Sequence, residues 1–190
     1  MLPNFRLSND KPLSERFRNK GMDTFHDAIR YVQKLPYGRN SSTRKASIIL
    51  TEGKGTCSTK HACLKTLAEE NEINSIDFNL AIYSMNGENT PGVGQVLKKY
   101  NLDYILEAHT YLSYDSERFD YTFQKANNRA WEKDILIEIP IDADQVGSWK
   151  KEYHQSVLKS WIKREKMPYS LDEIWDIREE CIKALSPREV

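Results

Sequence analysis

Three residues offer the chemistry of this sequence: Cys57, His109 and Asp120. A thiolate, not a thiol, is the nucleophile, and a free cysteine with a pKa near about 8.5 is mostly protonated at neutral pH. Two devices favour the anion. One is the set of unpaired N–H groups and the dipole at a helix N-terminus; the other is an imidazolium partner. Gly55-Thr56-Cys57 puts the sulfur at a glycine-to-helix junction, and the glycine lets a substrate backbone approach closely. His109 lies in Glu107-Ala-His-Thr-Tyr-Leu, and Asp120 follows in Arg118-Phe-Asp-Tyr-Thr122. A tight hairpin between these segments would set the two side chains on one face. Asp120 would then accept from His109, fix its tautomer and stabilise the imidazolium.

The elements that must position these groups follow from periodicity. Residues 1–20 are polar and charge-rich, with Pro3 and Pro12, and read as an extension over the surface. Phe25, Ala28, Ile29, Val32 and Leu35 recur at helical spacing until Pro36 ends the run. A short helix is expected from Ser42 as cap to Leu50, stopping before Gly53, and a longer one from Cys57 to Glu70. Strands are expected over Ile76–Met85, Tyr104–Tyr114, Phe119–Phe123 and Ile135–Ile141, with Ser116–Arg118 as the hairpin turn. Asn86–Gly94 reads as a mobile rim and Val96–Tyr100 as a short helix. Beyond Asp142 the pattern is helical: Val146, Trp149, Tyr153, Val157 and Trp161 share one face, and Ser170 opens a last helix with a capping box to Glu173. Helices, then an antiparallel sheet, then helices predict an α+β fold. The expected organisation is an N-terminal extension over 1–20, a core over 21–141, and a C-terminal helical segment over 142–190 packed on it.

Gly55-x-Cys57 opening a helix, a strand with His109-x-Tyr111, and Asp120-x-Thr122 together resemble the transglutaminase-like core, a papain-like superfamily that uses Cys, His and Asp in this chain order. The likeness covers about Gly21 to Thr122, extending arguably to Ile141. Each motif is short; their order, spacing and context are more specific than any one of them. Tyr111 stands where the family usually has Trp, Tyr121 where Pro is common, and His61 where a small residue often follows the cysteine by four. The Asn71-Glu72 region stands in place of a family glycine. These departures mark a divergent, bacterial-type branch. The resemblance implies a cysteine packed at a helix N-terminus against an antiparallel sheet, with extra C-terminal helices. It also implies acyl transfer at an amide or ester carbonyl through a thioester, without a cofactor. An oxyanion needs donors; the Cys57 N–H is one, and Asn40 or Tyr37 is the candidate second. Arg39 could instead bind a substrate carboxylate. His61 and Tyr111 complete the candidate substrate-binding set.

Each residue also has a plainer reading. A lone cysteine is most often a small buried hydrophobe, His109 alone a satisfied strand histidine, Asp120 alone a hairpin-edge carboxylate. His61, four after Cys57 on the same helix face, reads as a rival base, a substrate contact or a packed histidine. Cys57, His61 and His109 are zinc-type ligands, but Cys-x3-His is a weak zinc spacing, and no metal is expected. Cys63 and Cys181 read as packed, His26 and His154 as helix-surface residues, and Trp149, Trp161 and Trp175 as core.

Composition narrows the classes. The chain has 190 residues with 28 basic and 28 acidic side chains, a formal net charge of zero. That argues against a nucleic-acid binder driven by overall charge. Lys150 to Lys166 interleaves acids with bases and reads as a solvated face. A hydrophobic fraction of 39% is too high for a disordered chain, and no apolar run has the length of a membrane span. Three scattered cysteines and a polar N-terminus lead us to expect a reducing, cytoplasmic setting. The expected function is a cysteine hydrolase, peptidase-like, acting on a peptide or amide substrate. The alternatives are a non-catalytic binding module on the same fold and an arylamine- or acetyl-type acyltransferase.

Overall fold

The structure, a computed structural model, describes residues 1–123 and 129–185. Residues 124–128 of the expected core and 186–190 of the expected C-terminal segment lie outside the described residues. The fold is α+β. In chain order the elements are α1 (Pro12–Arg18), α2 (Phe25–Lys34), α3 (Ile48–Glu52), α4 (Cys57–Glu70), β1 (Asp77–Met85), α5 (Gly94–Lys99), β2 (Ile105–Tyr114) and β3 (Glu117–Phe119). A 3-10 turn (Ala130–Asp134), β4 (Ile135–Pro140), a second 3-10 turn (Ala143–Val146), α6 (Ser148–Glu165) and α7 (Leu171–Leu185) follow. The strands form one antiparallel sheet in the order β3-β2-β1-β4. The inner strand β1 is buried at successive positions from Phe78 to Tyr83, not at alternate ones, as a strand covered on both faces must be. The edge strand β4 leaves Leu136 and Ile137 exposed.

The chain divides into two compact units. The first comprises Met1–Leu80, Thr110–Asn127 and Ile139–Gly147. Its centre is α4, buried at every position from Cys57 to Ala68 except Thr66. Helix α2 packs on it through the expected face of Phe25, Ala28, Ile29 and Val32; each of the three larger side chains contributes about 1.5–3 kcal/mol by leaving water. The N-terminal twenty residues are not a surface extension. Leu2, Leu7, Leu13 and Phe17 are buried, and the Phe5 ring stacks on Phe25 at 4.7 Å. Helix α1 has no side-chain cap of its own. Its first N–H groups, on Leu13 and Ser14, donate instead to the Glu70 carboxylate at 2.9 and 2.7 Å. Local periodicity could not reveal this, because the partner is on α4. The helix expected from Ser42 is only Ile48–Glu52, ended by Gly53 in the left-handed region at φ 66°.

The β2–β3 hairpin turns at Asp115 and Ser116, both with positive φ (50° and 62°), the two-residue turn whose twist suits a hairpin. Its register pairs Leu112 with Phe119. The third strand is therefore Glu117–Phe119, not Phe119–Phe123, and Asp120 lies just past its end.

The second unit comprises Ala81–His109, Asn128–Glu138 and Ser148–Val190. Helix α7 packs on α5 and α6 and begins with the expected capping box, Ser170 with Glu173. On α6 the buried line is His154, Leu158 and Trp161. The expected face of Tyr153 and Val157 is turned by one residue, while Trp149 and Trp175 are only half-buried. Buried polar groups in this unit are paired. Arg178 of α7 makes a two-pronged salt bridge to the buried Glu107, and His154, not a surface residue, lies with Nε2 2.8 Å from the Leu106 carbonyl. The Asn86–Gly94 segment, expected as a mobile rim, is braced by the buried Asn89, whose amide donates to the Ser84 carbonyl and the Asp134 carboxylate. Among the described residues no helix is long and apolar enough to cross a membrane.

The second unit carries an acid-labile element. Burial pushes the His154 pKa down to about 4, the nearby Glu107 charge only partly opposing it. Burial pulls the Glu107 carboxyl upward, but Arg178 overcomes this and holds it at about 2. A histidine lowered on folding contributes stability fully above its unfolded value of about 6.5, lost as pH falls toward 4. Glu107 adds its own loss only below about 4.5. We expect urea denaturation to show stability falling between pH 6.5 and 4, by at most about 3 kcal/mol from this residue. His154→Gln, which keeps an N–H donor but cannot ionise, should flatten that slope.

Candidate active site

Cys57 is the first residue of α4. Thr56 caps the helix in an extended conformation, and a reciprocal box with Thr59 satisfies a donor at each end: Thr56 N–H donates to the Thr59 hydroxyl at 3.0 Å and Thr59 N–H to the Thr56 hydroxyl at 3.4 Å. The thiol therefore sits in the first turn of a regular, capped helix, where the dipole favours an anion. Cys57 is 8% exposed, with Ser58 Oγ 3.8 Å from its sulfur.

The approach to Cys57 is held by the chain over 36–40. Gly55 N–H donates to the Pro36 carbonyl at 3.1 Å and Gly38 N–H to that of Gly55 at 3.2 Å, a parallel bridge between Tyr37 and Gly55. Asn40 donates its amide hydrogens to Glu52 and the Lys54 carbonyl, both at 2.9 Å, and accepts from Thr59 at 2.7 Å. That makes Asn40 a brace of the loop and assigns its amide hydrogens to the protein itself, not to an oxyanion. Tyr37 stacks on Phe123 at 5.3 Å; Arg39 is exposed. Gly55 serves the protein's own packing. A Cβ there would lie 2.9 Å from Ile49 Cγ2 and 3.0 Å from both Lys60 Cγ and Thr59 Oγ1, so the space expected for a substrate backbone is already filled.

One turn into α4, two buried polar side chains reach the Asp120 segment. His61 is fully buried. Its Nδ1 is 2.9 Å from the Cys57 carbonyl, and its Nε2 accepts the Tyr121 N–H at 2.8 Å. Since Nε2 accepts, Nδ1 must carry the proton and donate. The 3.7 Å approach of Nε2 to Asp120 Oδ1 is thus not an ion pair: the nitrogen facing the carboxylate holds a lone pair. His61 is the packed histidine of its three readings, with neither nitrogen placed to act as a rival base. Lys60 is also fully buried and donates from Nζ to the carbonyls of Leu35 at 2.6 Å and Thr122 at 2.7 Å. Burial pushes its pKa down to about 8, against the charges of Asp120 and Cys57, which raise it. Asp120 Oδ1 accepts from the Thr122 N–H at 2.9 Å and from the Thr122 hydroxyl; its side chain is 6% exposed.

Cys57, His61, Asp120, Asn40, Tyr37 and Tyr111 belong to the first unit. Tyr111 is fully buried, with Arg118 donating to its hydroxyl at 3.3 Å, and is therefore a core residue. His109 belongs to the second unit. It is half-buried in β2, with the Trp131 ring edge-on at 4.7 Å and Tyr83 at 6.3 Å. Sequence reasoning passed over Lys60 and Trp131. Lys60 left no signal: α4 is buried nearly all round although its sequence is mixed, and the partners of Lys60 are distant carbonyls that leave no pattern. Among the described residues no group of three or more His, Cys, Asp or Glu is arranged to hold a metal ion.

Gly55→Ala is expected to destabilise the protein by about 1–3 kcal/mol, the usual cost of overpacking, by urea denaturation. A neutral result would mean that Ile49 and Lys60 can move aside.

No protein-family model, curated protein or solved structure matches this chain.

Proposed function

We propose that the protein is a cysteine-dependent acyl-transfer enzyme of the transglutaminase-like, papain-like kind, hydrolase-like, acting on an amide or ester carbonyl of a peptide or amide substrate. Cys57 is the nucleophile, His109 the base and then acid, and Asp120 the carboxylate that orients His109. The observation that carries this reading is Cys57 at the first position of a capped helix whose next turn grips the Asp120 segment.

The chemistry runs in two halves. The Cys57 thiolate attacks the carbonyl carbon, and the Cys57 N–H donates to the resulting oxyanion. The His109 imidazolium gives its proton to the leaving amine or alcohol, and the C–N or C–O bond breaks to leave a thioester. Neutral His109 then takes a proton from water, which attacks the thioester and releases the acid. The protonated His109 and the thiolate are restored. The edge-on Trp131 and Tyr83 restrict the His109 ring, as a base that must face one direction requires.

A non-catalytic binding module is the second reading. The low exposure of Cys57 favours it, since a nucleophile must meet its substrate.

The pH dependence of Cys57 alkylation, located by peptide mass mapping, decides between them. The catalytic reading predicts a midpoint within about 3.5–7.5, the range of activated cysteines, that rises toward about 8.5 in His109→Ala. Cys57→Ala should abolish thioester formation with amide and ester substrates. A midpoint near 8.5, unchanged in His109→Ala, would leave the binding module.

A further inference from the structure

We propose that Lys60 is the positioning residue of this site: by clamping the Asp120–Thr122 turn to the helix that bears Cys57, it sets where Asp120 lies and hence the reactivity of the cysteine. The assignment rests on the acyl-transfer reading.

Three consecutive residues of the turn are tied to α4 or to one another. Thr122 offers its carbonyl to Lys60 Nζ, while its N–H and hydroxyl hold Asp120 Oδ1. Tyr121 gives its N–H to His61. The turn is thereby gripped by adjacent side chains of α4, one cationic and one neutral. It needs such a grip. The β2–β3 ladder ends at Leu112 and Phe119, so sheet hydrogen bonds no longer fix residues 120–122. The second carbonyl on Lys60 belongs to Leu35, the residue before Pro36, and Pro36 opens the loop that pairs with Gly55. One ammonium thus joins the turn that carries Asp120 to the loop that leads to Cys57.

A lysine is a costly way to satisfy two carbonyls. A buried ammonium pays desolvation, and an uncharged donor would avoid most of it. The charge has a use here: its field reaches both Asp120 and Cys57, and a cation near both favours the carboxylate and the thiolate together. Gly55 leaves room for the lysine stem, since a Cβ there would collide with Lys60 Cγ. A pure packing role would call for none of this.

The test compares wild type with Lys60→Met. Hydrogen exchange of the 120–122 peptide reports the clamp, and the Cys57 alkylation profile reports the consequence. We expect faster exchange confined to this turn and a rise of about one unit in the Cys57 alkylation midpoint, a tenfold loss of rate at pH values well below both midpoints. Unchanged exchange would overturn the proposal. So would faster exchange with an unmoved alkylation profile, since Lys60 would then be a staple only. An ordinary thiol in the wild-type protein would overturn the acyl-transfer reading first and this assignment with it. A low wild-type midpoint that Lys60→Met leaves in place would overturn this assignment alone. If Lys60→Met does not fold, a comparison of wild type with Asp120→Asn still answers. The Lys60 13Cε resonance should titrate near 8 and move lower in Asp120→Asn, because Asp120 raises it. A Lys60 titration indifferent to Asp120 would overturn the proposal.

Discussion

A helix buried on nearly every side cannot carry a polar group without giving it a partner, and α4 carries several. Leaving a buried donor unmet costs about 1–3 kcal/mol, more for a charge. Each polar residue of α4 therefore dictates something outside it. Lys60 draws in the carbonyls of Leu35 and Thr122, His61 the Tyr121 amide, and Lys65 the Ile76 carbonyl at 2.7 Å, where the chain enters β1. The segments before α4, the turn after β3 and the start of the sheet are all placed by this one constraint. The start of α4 inherits a fixed surrounding from these pairings.

The three cysteines show how far surroundings divide one chemical type. Burial raises the Cys63 thiol far above its ordinary value, with the Glu70 charge adding to it. It raises Cys181 to about 12. Both are packed hydrophobes in practice. Cys57 is buried as well, but it occupies the first position of α4, a property of its position and not of its residue type.

What could be read from the sequence was local. The α2 stripe, the α4 helix from Cys57, the Ser170 box, the α+β class and the strands around His109 all follow from periods and caps within a few residues. What escaped was settled by partners far along the chain. The N-terminal twenty residues look polar because their few apolar side chains are spaced irregularly, yet Leu2, Leu7 and Phe17 are core. His154 looks like a surface residue until Leu106 supplies an acceptor. The third strand starts two residues before, and ends four before, the expected Phe119–Phe123, because Asp115 and Ser116, neither a glycine, take up the left-handed turn. Asn40, a reasonable oxyanion donor by position, was already committed to Glu52 and Lys54.

The cap of α1 lies late in the chain. Leu13 and Glu70 are separated by 57 residues, and a ribosome adds about 5–20 residues per second. The first helix, complete at Arg18, thus precedes the carboxylate that caps it by roughly 3–10 s. During that interval Phe17 can meet Tyr31 of α2, but the α4 face is absent. Docking of α1 on α4 must wait for synthesis of α4.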